Sequence, residues 1–323
     1  MDSLTRALIP SQFAGELVFS TRGADMSRSL YFTDLSRPDR RDALKLAMGL
    51  AGSAAMLPGV SAVAKTRQLD PTDAKDAAQI YRKMRYRTDS GLVFSWIKGP
   101  YMAAIGGDLI PVYAINLGAI QRITHNADGS FDLIDLEISF RVDVQSGERL
   151  TNMRNPVTGE MVRVGGRGPI PTHLMVSAEN EIEIPDVPGQ AKYEHVHVPV
   201  STFALGRTEL AIRDRSHARV TGPDGSVSYL NEVSTISAPR EQVLDPGTTN
   251  LDTRVQSNDV RSWPAWMNMG DRPGTLGLFG NGGKVSRFAD LPDDWHAMLK
   301  RYYPEIAADP IGVLDGKVKV TSV

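Results

Sequence analysis

The chain has 323 residues, of which 41% are hydrophobic and 23% are charged, and its formal net charge is −2. This composition is ordinary for a globular protein and is sufficient for one large domain or two small ones. The net charge gives no basic field that would attract nucleic acid, so no nucleic-acid partner is predicted. The chain has no cysteine, which excludes disulfides, thiolate nucleophiles, zinc–thiolate sites and iron–sulfur clusters.

The N-terminal region has the pattern of an export signal. An Arg-Arg pair at 40–41 precedes a weakly apolar run, 46–63, which is rich in Ala and Gly and leads into Ala-Val-Ala at 62–64. Twin arginines before such a run are typical of a Tat signal. We predict that residues 1–64 are a Tat-type signal peptide region, with Met26 as an alternative start. The Tat export machinery would then be a partner, and the mature protein would be periplasmic.

A membrane anchor is the alternative interpretation of this apolar run, because its length approaches the ~20 residues that a spanning helix needs. However, the run contains three glycines and a proline and ends at a cleavage pattern. We therefore predict a cleaved leader and no stable membrane anchor.

The first element after the leader is a short helix predicted over 70–86. Asp70 would cap it, Pro71 would occupy its first turn, and Ile80 and Met84 lie one helical turn apart.

The hydrophobic period then changes to two, which is typical of strands. In "LIDLEISFRVDV", 133–144, apolar side chains alternate with polar ones. The apolar set is Ile134, Leu136, Ile138, Phe140, Val142 and Val144. Asp-Gly and similar turn sequences separate further strands. The predicted strands are 92–98, 111–124, 131–144, 149–154, 160–165, 171–183, 192–205, 208–220 and 226–238.

Long strands joined mostly by hairpins predict a mainly β fold (β with minor α). We expect a large antiparallel β-barrel-like domain with flanking helices, because closure removes exposed strand edges and creates an interior cavity. Two stacked sheets are the alternative architecture. Residues 65–323 are assigned to this single domain.

The C-terminal fifth is predicted to contain an irregular segment and a helix. Segment 262–287 holds two Trp, two Met and six Gly, which predicts an ordered, irregular stretch lying over another part of the fold. The following helix, 291–306, would place Trp295, Leu299 and Tyr302 on one face.

Three stretches resemble a known family: "YRKMRYRTDSGLVFSWIKGPYMAA", "LNEVSTISAPREQVLDP" and "SWPAWMNMGDRPGTLGLFGNGGKV". They are similar to the family catalogued as domain of unknown function 1838, and the resemblance covers residues 75–305. Its most distinctive part is the Trp-Pro-x-Trp-x-x-Met-Gly pattern at 263–270. The resemblance implies a Tat-type leader, which family members often carry. It also implies a relation to the breakdown of lignin-derived aromatic dimers, in which relatives are associated with formaldehyde-releasing lyase activity.

The stretch "KYEHVHVP" contains two histidines one residue apart. In a strand, Tyr193, His195 and His197 point to one face, whereas Glu194 points to the other. Inside a barrel, a phenol and two imidazoles could exchange protons with a phenolic or alcoholic substrate.

Two other interpretations of the histidine pair stay open. The pair could hold a metal as in a cupin, with His173 or His217 as a third ligand, although the spacing is not that of a cupin. Alternatively, both side chains are solvated polar groups on the outer face of the sheet.

Further candidates come from the C-terminal half. Lys284 or Arg272 could stabilise a phenolate, a carboxylate or a developing oxyanion. The aromatic and methionine side chains of 263–269 either pack against the end of the barrel or form an apolar wall for a ligand. Arg213 belongs to an alternating polar row that either faces solvent or lines the barrel.

We therefore predict that Tyr193, His195, His197 and Lys284 are catalytic. The predicted substrate-binding residues are His173, Arg213, Trp263, Trp266, Met269 and Arg272.

The leading functional hypothesis is a cofactor-independent lyase that acts on a small lignin-derived aromatic substrate and releases formaldehyde, with no metal. One alternative is a periplasmic carrier of a hydrophobic aromatic ligand. The other is a cupin-like metal-dependent oxygenase that uses His195 and His197. The expected partner is a small aromatic or hydrophobic ligand, and the sequence predicts no oligomeric state.

Overall fold

The computed structural model describes residues 67–165, 168–184, 192–222 and 225–321. The predicted signal region, 1–64, and the alternative start at Met26 lie outside these residues. Among the described helices, none is long and apolar enough to cross a membrane.

The described residues form a nearly closed, barrel-like antiparallel sheet, which confirms the predicted mainly β fold. Ten strands follow the order β7-β6-β3-β2-β1-β12-β11-β10-β9-β8. The edge strands β7 and β8 lie in contact, so the sheet curls back on itself at this seam. The strands are β1 (Gly91–Ile105), β2 (Asp108–His125), β3 (Phe131–Val142), β6 (Thr172–Val176), β7 (Ile182–Glu183), β8 (Lys192–Leu205), β9 (Glu209–Thr221), β10 (Val227–Pro239), β11 (Thr253–Arg261) and β12 (Thr275–Val285). A separate hairpin pairs β4 (Asn152–Arg154) with β5 (Met161–Arg163).

Five helices accompany the sheet in the described part of the chain. They are α1 (Ala74–Arg85), α2 (Arg240–Leu244), α3 (Asp293–Tyr302), α4 (Pro304–Ala308) and α5 (Pro310–Leu314). Two short 3-10 helices cover Ala265–Met267 and Phe288–Asp290.

Helix α1 packs on the inner face of the barrel at one end. Its Ile80 and Met84 are fully buried and contact apolar side chains from strands all around the sheet. The helix begins later than the sequence predicted, because Asp73 rather than Asp70 caps it: the Asp73 carboxylate accepts hydrogen bonds from the amides of Lys75 and Asp76.

The opposite end of the barrel is filled by a second apolar cluster. Tyr101, Tyr113 and Leu278 contribute from the inner faces of β1, β2 and β12. The β4–β5 hairpin and the Ala265–Met267 helix pack against them. Apolar side chains therefore fill both ends of the interior, and the polar side chains lie between them.

The outer face of β3 carries the apolar set that the sequence identified. Leu136, Ile138 and Phe140 are buried against Trp295 and Leu299, which are the predicted apolar face of helix α3. The apolar side of β3 therefore points out of the barrel, under the C-terminal helices, and its polar side points inward.

Polar side chains from β3 and from β8 to β11 consequently occupy the inner face between the two apolar clusters. We call this set the inner polar band. By strand register and alternation it contains Ser139, Arg141, His195, His197, Asp214, Ser216, Glu232, Ser234, Ser257 and Asp259.

Strands β11 and β12 were not predicted, and the expectation of an irregular segment over 262–287 is wrong for its second half. β12 lies in the middle of the sheet between β1 and β11, despite its glycines. A Cβ on Gly282 would lie 2.0 Å from the carbonyl oxygen of Trp96, and one on Gly280 would lie 2.7 Å from Ile97. The glycines are thus required for close approach of the neighbouring strand, which composition alone does not reveal.

We predict that Gly282→Ala destabilises the fold by about 2 kcal/mol or more, because the added methyl overlaps the backbone of β1. Urea unfolding of the purified variant measures this change. Gly168→Ala is the matched control, since a Cβ at that exposed position meets nothing within 4 Å. Equal stability of the two variants would contradict the close packing of β12 on β1.

Candidate functional site

The paired histidines lie on the inner face of the barrel. His195 pairs with Ala218 and His197 with Ser216 on β9, and both partners have their side chains inside. Glu194, which precedes His195 in the strand, points outside and pairs with Arg219 at 2.7 Å. Strand alternation alone places the two imidazoles on one face, as the sequence predicted, and the closed sheet turns that face inward.

A small cavity lies beside these histidines at the seam between β7 and β8. Its volume is about 130 Å³. Among the described residues, its lining consists of Arg85, Ile182, His195, His197, Asp214, Ser216, Ala218, Leu230 and Glu232. Five of them carry ionisable side chains, so the lining is suited to charge and proton chemistry rather than to a purely apolar ligand.

His197 is held at one nitrogen by two partners. Its Nε2 lies 2.7 Å from the hydroxyl of Tyr81, in helix α1, and also contacts a carboxylate oxygen of Asp214. The Tyr81 hydroxyl donates to the other oxygen of Asp214 at 3.3 Å. Because a carboxylate only accepts, the proton of the His197 ring is placed on Nε2. Nδ1 is buried and has no hydrogen-bond partner among the described residues, so in the neutral ring it carries a free lone pair.

Asp214 remains ionised in this buried position. Burial raises the pKa of its carboxyl, but the Arg85 guanidinium and the hydrogen bonds from His197 and Tyr81 outweigh burial and hold the pKa below its usual value. The Arg85 Nε lies 3.4 Å from the Asp214 carboxylate. Burial raises the pKa of Tyr81 well above its usual value, so the phenol stays protonated. The group therefore contains one stable anion and one stable cation beside the cavity.

His195 is the second imidazole at the cavity. Burial, together with the nearby His197, lowers the pKa of His195 below its usual value. Its Nδ1 is buried without a hydrogen-bond partner among the described residues, as is that of His197. A buried polar atom without a protein partner is costly, and its explanation is a catalytic role or a bound water, ion or ligand.

Glu232 completes the polar side of the cavity from β10. It accepts hydrogen bonds from the hydroxyls of Ser234, at 2.7 Å, and Ser257, at 3.0 Å. These bonds hold the carboxylate in the inner polar band, where Ser216 of β9 is the register partner of both Glu232 and His197.

A larger groove of about 440 Å³ lies elsewhere, around Pro239, Asn250 and Arg254. It contains none of the histidines and is wide open to solvent. We place the candidate site at the smaller cavity, because only there do unpartnered imidazole nitrogens meet a buried ion pair.

The other predicted catalytic residues lie away from this cavity lining. Tyr193 shares the inner strand face with the histidines but is 41% exposed near the end of β8. Lys284 is 2% exposed, and its ammonium donates to the carbonyls of Lys83 and Tyr86 and to the side chain of Asn250. Lys284 thus caps the carboxyl end of helix α1, a role that fastens the helix inside the barrel.

The predicted substrate-binding residues are spread over three regions. His173, Arg213 and Arg272 are exposed, and the guanidinium of Arg213 stacks on Phe203 at 5.3 Å. Met269 is 4% exposed within the apolar cluster at the far end of the barrel.

Both tryptophans of segment 263–269 pack against that same cluster. The indole nitrogen of Trp263 donates to the carbonyl of Arg272 at 3.0 Å. Trp266 tilts against Tyr113, with ring centroids 5.8 Å apart. Both indole rings therefore pack at this end of the barrel.

Sequence reasoning missed Tyr81, Arg85, Asp214 and Glu232. Tyr81 and Arg85 are one helical turn apart in α1, which was predicted as a helix but not as a part of the site. Asp214 stands between Arg213 and Arg215 of the alternating polar row, and its side chain lies on the opposite face of the strand from theirs. The signal available in the sequence was that Asp214 is a single acidic residue on the strand face opposite the arginines.

No group of three or more His, Asp or Glu side chains suited to hold a metal ion occurs within the ranges that the structure describes. Nε2 of His197 already contacts Asp214 and the hydroxyl of Tyr81, so it is not free to bind a metal ion. His173 and His217, proposed as third ligands, both lie on the outer face.

The fold and this site define a barrel-like β protein with a polar interior and a histidine–carboxylate pair beside a small cavity. The chain belongs to the family described as "Protein of unknown function (DUF1838)", which matches residues 90–323. No curated protein and no solved structure gave a significant match. The family match covers β1 to the C-terminus, so it includes both histidines, Asp214 and Glu232, whereas Tyr81 and Arg85 precede it.

Lys284 provides a prediction about stability. Burial lowers the pKa of its ammonium to about 7 in the folded protein, compared with about 10.4 when unfolded. Between these values the unfolded chain binds the proton and the folded chain does not, so the free energy of unfolding rises with pH. We expect this rise between pH 7 and pH 9, with a slope of up to about 1.4 kcal/mol per pH unit.

The variant Lys284→Met should be less stable at pH 9 and should show a smaller slope. Lys83 keeps part of the slope, because its pKa is also lowered by burial. Lys300→Met, on the exposed side of helix α3, serves as the control with an unchanged slope. Urea unfolding at pH 7, 8 and 9 measures all three proteins, and equal slopes for wild type and Lys284→Met would contradict the prediction.

Proposed function

We propose that this protein is a lyase that uses His197 as a general base at the barrel cavity and releases formaldehyde from a small aromatic alcohol. One observation carries the acid–base part: His197 is oriented through Nε2 by a buried carboxylate, while its Nδ1 has no partner beside a cavity. A carboxylate that fixes one ring nitrogen and leaves the other as a base is a recurring arrangement in enzymes.

The proposed reaction converts R–CH₂OH into R–H and formaldehyde. Nδ1 of His197 takes the proton of the alcohol, the C–O bond becomes a carbonyl, and the bond between the hydroxymethyl carbon and R breaks. The electron pair moves into the aromatic system of R, and a proton is returned to R. No oxidant or reductant is consumed, so the atoms and electrons balance within the substrate.

The neighbouring side chains have separate roles in this proposal. Asp214 and Tyr81 hold the ring of His197, and Asp214 stabilises the imidazolium that forms. Arg85 lines the cavity and would stabilise the negative charge that develops on the substrate. His195 is kept neutral by burial and is placed to return the proton.

The cavity size limits what reacts there. A cavity of about 130 Å³ is close to the ~150 Å³ that is known to accommodate benzene. We therefore propose that the hydroxymethyl end of the substrate and about one ring occupy it. The lignin-derived aromatic class comes from the family resemblance, and the leader sequence supports a periplasmic location.

The test is formaldehyde release from aromatic compounds that carry a hydroxymethyl side chain. We expect His197→Gln to lower the rate by about 100-fold or more, because it removes the base and retains a polar side chain. His217→Gln is the matched control, since His217 is exposed on the outer face of β9, where it hydrogen-bonds Asn231 at 2.6 Å. Its rate should equal that of wild type.

Asp214→Asn should also lower the rate, with little effect on substrate affinity, because the amide no longer stabilises the imidazolium. A carrier would bind the same compounds without any release, and a metal-dependent oxygenase would lose activity on treatment with a chelator. Either outcome, or unchanged release by His197→Gln, would overturn the proposed lyase mechanism.

A further inference from the structure

Two hydrogen-bond donors in the far half of the barrel lack acceptors. They are Nε of Arg141, on the inner face of β3, and Nε1 of Trp266, in the 3-10 helix that closes this end. Both atoms are buried and have no partner among the described residues. A buried donor without an acceptor is costly, and the cost is larger for a charged group. Two such donors together indicate that an acceptor from outside the chain belongs there.

The two donors belong to one packed group. The guanidinium carbon of Arg141 lies 5.8 Å from the ring centre of Trp266 and 5.9 Å from that of Tyr113. The Trp266 ring packs closely on the backbone of Gly165, because a Cβ added to this glycine would lie 2.8 Å from the ring. The donors are therefore held in place against an aromatic wall before any ligand arrives.

Arg141 also differs from the other arginines of the interior. Arg85 is paired with Asp214, and Arg261 is paired with Asp259 at 2.5 Å. Arg141 makes no ion pair within the described ranges; its guanidinium lies near two aromatic rings and hydrogen-bonds the side chain of Tyr113, while its Nε has no acceptor. A partly buried guanidinium without a carboxylate is suited to receive one.

The donor pair connects to the histidine cavity through the inner polar band. Tyr113 packs on Tyr101, with ring centroids 4.9 Å apart, and the Tyr101 hydroxyl donates to Asp259 at 2.8 Å. Asp259 is the register partner of Glu232, which lines the cavity. Both places thus belong to the same inner surface of the barrel.

We propose that Arg141 and Trp266 form a subsite that binds the carboxylate of an aromatic acid. A carboxylate offers two oxygens in one plane, one for the guanidinium and one for the indole N–H, and the partly exposed ring of Trp266 contacts the aromatic part of the acid. Arg141 and Trp266 are each partly exposed as whole residues, whereas their two donor atoms are buried. The subsite extends the proposed function to substrates that carry an acid group. Only the reaction of the bound acid rests on the proposed function; the binding does not.

The experiment measures binding of benzoate and of benzamide, its uncharged analogue, by calorimetry and by quenching of tryptophan fluorescence. We expect benzoate to bind at least about tenfold more tightly than benzamide. Arg141→Gln and Trp266→Phe should each weaken benzoate binding by about tenfold or more, because each removes one hydrogen bond to a charged acceptor. Trp266→Phe keeps the ring and loses only the donor, so it separates binding from packing.

Arg149→Gln is the matched control for Arg141→Gln. The guanidinium of Arg149 also stacks on an aromatic ring, that of Tyr302 at 4.4 Å, but on the outer side under the C-terminal helices. The Arg149→Gln variant should bind benzoate as the wild type does, and circular dichroism should show the same fold for all variants. Equal affinity for benzoate and benzamide, or unchanged benzoate binding by both Arg141→Gln and Trp266→Phe, would overturn the subsite.

Binding and turnover separate this inference from the proposed lyase. Selective benzoate binding that depends on Arg141 and Trp266, without formaldehyde release from any alcohol, would support the subsite and overturn the lyase. Formaldehyde release with no preference for acids over their amides, and no loss in Arg141→Gln, would support the lyase and overturn the subsite.

Discussion

The carboxylate of Asp214 is the constraint around which the interior is organised. A buried carboxylate is tolerated only when its charge and its lone pairs are matched. Asp214, which is 5% exposed, is matched by Arg85 and Tyr81 from helix α1 and by His197 from β8. The same contacts tie the helix into the barrel, place the proton on one nitrogen of His197 and leave the other nitrogen free. Structural stability and the proposed chemistry thus depend on one charged group.

The C-terminal helices decide what the barrel can contain. By covering the apolar outer face of β3 with Trp295 and Leu299, they allow the polar face of that strand to point inward. Helix α1 and the Ala265–Met267 segment fill the two ends with hydrocarbon, so the polar groups are confined to a middle band. Charges in such an enclosed band interact more strongly than they would in water, which favours both proton transfer and the binding of anions.

Much of the sheet could be predicted because alternation and turn sequences are local properties. The β8 prediction matches the observed strand, and the β9 and β10 predictions match theirs to within a residue at each end. β12 could not be predicted because its glycines resemble a loop until the neighbouring Trp96 carbonyl is present to explain them. For the site, the common face of His195 and His197 followed from strand period. Their partners could not be predicted, because Tyr81, Asp214 and Glu232 come from three other elements that only the fold brings together.

The sequence by itself determined the alternating strands, the shared orientation of the two imidazoles, the apolar face of helix α3 and the family membership, because each depends on neighbouring residues or on a local pattern. Only the tertiary structure decided which side of the sheet is the interior. It also decided that Lys284 caps helix α1 instead of facing the cavity, and that Asp214 rather than Tyr193 is the partner of His197. These outcomes depend on sheet closure and on which elements cover each face, and no local pattern specifies those long-range contacts.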